Sequence, residues 1–458
     1  MRRAVASIGA SALALTLAHV ALANEADTYG LGSRAAAMGG AVAADAADFS
    51  GNYYNPGALA SAPGLEIAIG YTYAANHLRI DGQDNDVDAM HGIVGGLVAP
   101  GKILGVPFAF GIGTFLPDSG LSSIKAIKQE TPRWALYDGR SGILFLAANL
   151  AVKPVSWLEV GGGAAFLAAT QGKFGIKGTA DIESPYDSDL HHEVDADLTA
   201  VRYPEVGARV KVGSLGYLAL VYRGETKLHL SIAADLEGNI SLGGLMVPLS
   251  YVLSSTTIDA FLPQQVVLGA SFQKIERLKV NFDLTFVNWA AYESPTAQTN
   301  ADLEVTVPPG LNVQIPPQPK PTAVVPPSFA NRFVPRIGVE YVLPAFGPAR
   351  TVKGTGAPTR MIEIPLRAGY VFEASPVPPQ TGTTNFVDAD RHTVSAGLGI
   401  ELHGVASWMP GTIAVDAHAQ LSILPERVTQ KTSAADFVGD YKASGDMIGG
   451  GATLSARF

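Results

Sequence analysis

Long stretches of this chain alternate residue by residue between apolar and polar side chains, and no other feature constrains its fold as strongly. Val280, Phe282, Leu284 and Phe286 make one wholly apolar face, while Lys279, Asn281, Asp283 and Thr285 make the other. Between Tyr217 and Ile232, Leu218, Leu220, Tyr222, Leu228, Leu230 and Ile232 share one side. Arg223, Glu225, Lys227, His229 and Ser231 share the opposite side, with Ala219 and Val221 blurring its start. The same rhythm sets Leu366, Ala368, Tyr370 and Phe372 against Arg367 and Glu373. It also sets Ile413, Val415, Ala417, Ala419, Leu421 and Ile423 against Asp416, His418 and Gln420. Successive side chains of a strand point to opposite faces, so each stretch reads as a strand with one charged face.

In a soluble sandwich the charged face would meet water; in a transmembrane barrel it lines the lumen and the apolar face meets lipid. Composition separates the two. Hydrophobic residues make up 47% and charged residues 16% of the 458, against roughly 25% charged in soluble domains. Past the N-terminus there is no apolar run of the roughly 18 residues that a membrane helix needs. In lipid only helices and closed barrels satisfy every backbone polar group, which leaves the barrel. Fifty glycines and 30 prolines suit many strands with many turns. The absence of cysteine excludes disulfides and thiolate metal sites. A net charge of −9 gives no support for nucleic-acid binding.

About fourteen strands are predicted, centred on 65–80, 89–99, 107–116, 140–153, 156–174, 194–213, 216–233, 264–274, 277–291, 333–343, 361–373, 391–403, 411–424 and 447–458. Tight turns near Pro154, Gly213 and Ile275 and short links at 100–106 and 404–410 alternate with long connections at 117–138, 175–193, 234–263, 293–332 and 425–446. Short turns on the periplasmic side and long loops outside characterise outer-membrane barrels. The connection 344–360 is long for its side. At the C-terminal end Ala452, Leu454, Ala456 and Phe458 alternate with Thr453, Ser455 and Arg457, resembling the terminal strand by which such barrels are recognised for assembly.

The N-terminal residues read as a signal peptide over 1–23. Arg2 and Arg3 form its basic region, Ala4 to Ala18 its apolar region and Ala21-Leu22-Ala23 its cleavage site; a retained anchor is the rival reading. Residues 24–64 do not alternate. They are rich in Gly and Ala and carry the turn signal Asn55-Pro56-Gly57. Ahead of a barrel at 65–458 too wide to fill with its own side chains, such a segment is a candidate plug. Two long loops stand out. The stretch 293–332 is proline-rich and reads as stiff external loop. Leu121, Ile124 and Ile127, followed by Trp134, either offer an external groove to a greasy ligand or pack their loop down.

The run GLGSRAAAMGGAVAADAADFSGNYYNPGALA, residues 30–60, resembles the N-terminal hatch of the FadL family of outer-membrane transporters, which includes TodX-type channels. Leu366-Arg367-Ala368-Gly369-Tyr370, Ser375-Pro376-Val377-Pro378 and Asp388-Ala389-Asp390-Arg391 resemble a late strand of that family, its loop and the next strand start. Asn288-Trp289 and the terminal Phe458 also fit. The resemblance implies a fourteen-stranded barrel with a hatch in its lumen. It implies ligand capture in an external groove, transfer to an internal pocket, and release by hatch rearrangement or a lateral opening. The family's Gly-Leu-Gly-Arg element falls on Gly30, Leu31, Gly32 and Arg34, with Ser33 as an extra residue. Its Asp falls on Asp45 and its Asn-Pro-Ala on Asn55, Pro56 and the departing Gly57.

The expected fold class is therefore all-β: a transmembrane antiparallel barrel plugged by its own N-terminal segment. The expected function is passive uptake of hydrophobic molecules, long-chain fatty acids first, with aromatic hydrocarbons or alkanes as the alternative. A structural or secretion-linked barrel is the reading from another class. Lumen cations Arg209, Lys211, Arg223 and Arg336 either meet a ligand carboxylate or join ion networks with Glu205, Glu225 and Glu340. No nucleophile elbow supports an esterase. Adjacent residues such as His191, His192 and Glu193 rarely converge on one ion, so neither catalytic residues, metal nor cofactor are expected. The expected partners are the hydrophobic ligand and outer-membrane lipid and lipopolysaccharide, around a monomer.

Overall fold

The computed structural model describes residues 25–118, 131–137, 144–181, 189–242, 245–292, 298–305, 327–351, 358–405 and 411–458. The expected signal peptide lies outside these residues, as do Leu121, Ile124 and Ile127. Fourteen antiparallel strands form one closed barrel. They are β1 (Glu66–Ile80), β2 (Met90–Ile103), β3 (Val106–Pro117), β4 (Phe145–Val155), β5 (Leu158–Asp181), β6 (Asp189–Val212) and β7 (Gly216–Arg223). The ring continues through β8 (Gln265–Phe272), β9 (Leu278–Val287), β10 (Arg332–Val342), β11 (Pro365–Glu373), β12 (Arg391–His403), β13 (Thr412–Thr429) and β14 (Tyr441–Arg457). Each pairs with the next, and β14 returns to β1 from Glu66↔Arg457 to Ile80↔Ala443. Closure leaves no edge strand in the wall.

A ring strand stands at each position expected from the alternation, and the four segments 280–286, 218–223, 366–371 and 413–423 face as the pattern requires. Val415 is 46% exposed where lipid would lie, while its neighbour Asp416 is 7% exposed and points into the bore. Leu218, Leu220, Phe282 and Tyr370 face outward, and Asn281, Asp283, Thr285 and Arg367 face inward. The turns at 104–105, 156–157 and 213–215 share the short-turn rim.

The structure corrects two boundaries. The stretch expected as one strand over 216–233 breaks after Arg223, and the expected loop 234–263 is mostly strand. Pairing of β6 with β7 stops at Glu205↔Arg223. The next residue along β6 is Pro204, which has no N–H for the ladder; its carbonyl accepts from Gly224 N at 2.9 Å. Beyond this break, Thr226–Leu242 pairs with Leu245–Leu262 and, in parallel, with 172–181 of β5. The connection 344–360, long for its rim, carries a small hairpin of Phe346–Thr351 and Pro358–Glu363.

Candidate functional site

Residues 25–64 fold into three short helices, α1 (Glu25–Thr28), α2 (Ser33–Ala37) and α3 (Gly51–Tyr54), and a 3-10 turn at Pro56–Ser61. Small residues make this compactness possible. Gly30 and Gly32 have φ of 90° and 85°, where a side chain would be strained. A Cβ on Gly30 would also sit 2.6 Å from that of Ala36. The Asn55 side chain accepts from Gly57 N at 3.0 Å and donates to Ala43 O at 2.7 Å, with Pro56 opening the next turn.

This segment touches every strand of the ring through inward-facing residues. Tyr29 donates to Asn76 of β1 at 3.1 Å. Phe49 packs on Gly96 of β2, and Asn52 on Gly111 and Gly113 of β3. Asn149 of β4 donates to Asn52 O at 2.9 Å. A Cβ at Gly161 of β5 would lie 2.6 Å from Pro56 O. Asn55 donates to Ala208 O of β6 at 3.2 Å, and Arg223 of β7 to Tyr53 O at 3.0 Å. Gln265 of β8 donates to Asp27 at 2.6 Å, and Ala43 N donates to Asp283 of β9 at 2.9 Å. Arg336 of β10 donates to Gly39 O at 3.4 Å, and Gly369 of β11 abuts Met38 and Gly39. Ser395 of β12 donates to Ala37 O at 3.0 Å and Gln420 of β13 to Thr28 O at 3.5 Å. Ser33 N donates to Thr453 of β14 at 3.0 Å. A segment reaching fourteen inward faces of a closed ring lies in its bore.

Six residues singled out from the sequence all lie in this segment. Gly30, Gly32, Asn55 and Pro56 shape its backbone, while Arg34 and Asp45 pair with each other and anchor it. Arg34 also meets Asp48 at 2.9 Å and Glu340 of β10 at 3.6 Å. Lys279 of β9 reaches Asp45 at 3.5 Å and Glu340 at 3.0 Å, and Arg367 of β11 reaches Glu340 at 2.6 Å and pairs with Asp416. Burial works against the Asp48 charge, but Arg34, Ser50 and Arg457 together outweigh it and hold this carboxyl below its usual pKa. Gly57, where the resembling motif has Ala, faces Gly207 O, which a Cβ would approach to 2.7 Å.

The expected lumen cations Arg209, Arg223 and Arg336 are held, but by Glu159, Gln265 and Asp27 rather than by Glu205, Glu225 and Glu340. Arg209 meets Glu159 at 2.5 Å and lies over the Tyr217 ring at 4.4 Å. Arg223 lies over Tyr53 at 4.0 Å and donates to Gln265 at 2.6 Å. Lys227 pairs with Glu225 at 3.2 Å.

Small recesses remain between the segment and the wall, and two of them adjoin. One, a cavity of about 20 Å³, is lined by Asp27, Thr28, Tyr54, Arg336, Arg391, Thr393 and Gln420 among others. The other, closed too tightly to hold a water molecule, is lined by Ala26, Gly30, Leu31, Thr72, Met90, Phe115 and Phe145. Ala26 and Gly30 line both. Arg391 pairs with Glu373 through Nη2, yet its buried Nε and Nη1 have no hydrogen-bond partner. Its place in the DADR element was visible in the sequence; its approach to a recess was not.

Toward the long-loop end lies an aromatic cluster that includes Trp134, Tyr137, Trp289, Tyr292, Phe329 and Phe386. Trp134, considered from the sequence for an external groove, is fully buried there, with its ring 5.9 Å from Tyr137.

No protein-family model and no curated protein matches the chain. Solved structures do resemble it. A Pseudomonas aeruginosa FadL homologue is 15% identical with a TM-score of 0.54, over 94% of this chain and 97% of that one. The CymD monoaromatic hydrocarbon channel is 16% identical with a TM-score of 0.55, over 93% and 97%. The Ralstonia pickettii toluene transporter TbuX is 14% identical with a TM-score of 0.51, over 94% and 99%.

Proposed function

We propose, on the premise that the chain has the barrel fold of these channels, that it carries hydrophobic small molecules passively across the outer membrane, long-chain fatty acids foremost. The pair of adjoining recesses carries this reading. One is lined mainly by apolar side chains, and the other presents Arg336 and the unpartnered edge of Arg391. Once residues 25–64 shift and open the first, an acyl chain there gains about 0.8 kcal/mol per buried methylene. Its carboxylate can accept charge-assisted hydrogen bonds in the second. A hydrocarbon would use the first recess and leave the guanidinium unanswered.

The bore is occupied by the N-terminal segment, so passage requires residues 25–64 to shift or the wall to part. Gly30, Gly32, Arg34, Asp45, Asn55 and Pro56 are the residues assigned to that hatch. Export by the N-terminal signal places the barrel in outer-membrane lipid and lipopolysaccharide, where it acts as a monomer. Its outward belt of Ile67, Ile69, Leu150, Phe333 and Leu398 suits a lipid environment.

The test is uptake of a fluorescent long-chain fatty acid and of an uncharged aromatic hydrocarbon into vesicles containing the purified barrel. Arg391→Gln should reduce fatty-acid uptake about tenfold or more at low ligand, consistent with losing a charge-assisted bond worth roughly 1.5–3 kcal/mol. It should leave hydrocarbon uptake nearly unchanged. Equal losses for both ligands would refute the headgroup assignment. Vesicles that take up neither would refute the transport reading, and a stable protein partner on the purified barrel would favour the secretion-linked one.

A further inference from the structure

At the short-turn rim, away from the recesses, three ligating side chains converge from separate strands. Glu363 ends the small hairpin strand Pro358–Glu363, and Glu401 and His403 close β12. One carboxylate oxygen from each glutamate and one imidazole nitrogen all lie within 4.8 Å of one another. Glu363 and Glu401 are directly opposed across the strand pair. Like charges in that position repel, and a cation between them would relieve both carboxylates at once, where Arg457 at 3.9 Å reaches Glu401 alone.

His403 supplies the independent observation. It is 6% exposed, and its buried Nε2 has no hydrogen-bond partner. The Glu363 Oε2 lies 3.6 Å from it. That is too long for a hydrogen bond, but it suits two ligands on one tetrahedral ion with bonds of about 2.0–2.2 Å. On its other side, His403 Nδ1 lies 2.9 Å from Thr412 Oγ1. With Nδ1–H donating to that hydroxyl, Nε2 carries the free lone pair, which is the tautomer a metal requires. Arg457 Nη1 approaches Glu401 at 3.9 Å, while its Nε holds Glu66 at 3.1 Å. Glu401 can therefore turn to an ion without stranding Arg457.

We propose that Glu363, Glu401 and His403 bind one zinc ion, with water completing the coordination and Thr412 orienting the imidazole. One imidazole and two carboxylates favour zinc over magnesium or calcium, which prefer all-oxygen shells. The hairpin strand Pro358–Glu363 pairs with β12 only through Ile362↔Leu402 and Glu363↔Glu401. A bound ion would staple it to the wall.

The test uses the full barrel, purified in detergent, stripped with chelator and titrated calorimetrically with zinc chloride. The expected result is one ion per chain at micromolar or tighter affinity. His403→Gln and Glu363→Gln should each weaken it at least tenfold, and Thr412→Val should weaken it by roughly 10–100-fold through the imidazole. Hydrogen exchange over 358–363 should slow on adding zinc to the natural chain and not to His403→Gln. Heat-modified gel migration confirms that each variant keeps its barrel. Affinity no better than millimolar, unchanged affinity in folded His403→Gln and Glu363→Gln, or equally tight magnesium binding would overturn the assignment.

Discussion

Replacing Arg34 by Met should unseat the plug, and the structure says how strongly. Arg34 bridges Asp45, Asp48 and Glu340. Two of these keep other partners when it goes. Asp45 retains Lys279 at 3.5 Å and Gln273 at 3.0 Å. Glu340 retains Lys279 at 3.0 Å and Arg367 at 2.6 Å. Asp48 retains only Ser50, whose N–H donates to Oδ1 at 2.9 Å and whose hydroxyl donates to the same oxygen, so its Oδ2 is left bare. The cost therefore falls on one stranded carboxylate, at the low end of the range for breaking a buried pair, about 3 kcal/mol. That is on the order of a hundredfold in the balance between seated and displaced plug. Without Arg34, burial is opposed only by Ser50 and Arg457, and the carboxyl's pKa rises. The leak should then grow with rising pH as the uncompensated charge returns. Planar-bilayer conductance and hydrogen exchange over 25–64 measure both effects, and Arg34→Met with Asp48→Asn should recover more than half of the loss. A double variant as leaky as the single one, or a single variant as tight as the natural chain, would refute the reasoning.

Two further changes probe the seat and the outer cap. Gly161→Leu drives a side chain toward Pro56 O, and overpacking of this kind costs about 1–3 kcal/mol. Hydrogen exchange over 51–61 should quicken, whereas Gly382→Ala, with nothing within 4 Å, should change nothing. Asp388, in the loop between β11 and β12, is pushed up to about 6 by burial, with Ser375 opposing. A carboxyl raised above its unfolded value of 3.8 stabilises the fold fully below that value, and the contribution is lost as pH rises through about 6. Protection of 374–390 should fall across that window in the natural chain and stay level in Asp388→Asn.

The wall was legible because lipid and lumen impose one rule on every strand. Val280 to Phe286 already shows which way each side chain points. The strand break at Arg223 was harder to see. It depends on Pro204, a residue of the neighbouring strand, and pairing partners are not written in local alternation. The plug's composition was visible, but its contacts were not, since they come from every strand at once. Glu363 and His403 lie 40 residues apart in sequence and meet only after β11 and β12 pair, so no local motif announces them. Trp134 shows the same limit in reverse: an aromatic in a long loop reads as surface until the residues that cover it are in place.

One signal for the plug did lie in the wall. Inward positions can be read from the alternation, and several hold glycine beside charge. On β6 they run Glu205, Gly207, Arg209; on β10 Arg336, Gly338, Glu340; on β11 Arg367 precedes Gly369 and on β5 Glu159 precedes Gly161. Glycine weakens a strand unless another backbone must come close. Here one does: Pro56 at Gly161, Asn55 at Gly207, and Met38 at Gly338 and Gly369. Each glycine makes a seat, and Glu159, Arg209, Arg336, Glu340 and Arg367 beside them hold polar groups on the plug or on neighbouring strands. Between these seats the plug is apolar: Leu31, Phe49, Tyr53 and Leu59 are buried in one cluster with Met90, Phe115 and Phe145 of the wall. A plug held by both kinds of contact is closed at rest, and moving it exposes apolar surface at roughly 25 cal/mol per Å², a cost that a hydrophobic ligand taking its place on the wall would offset.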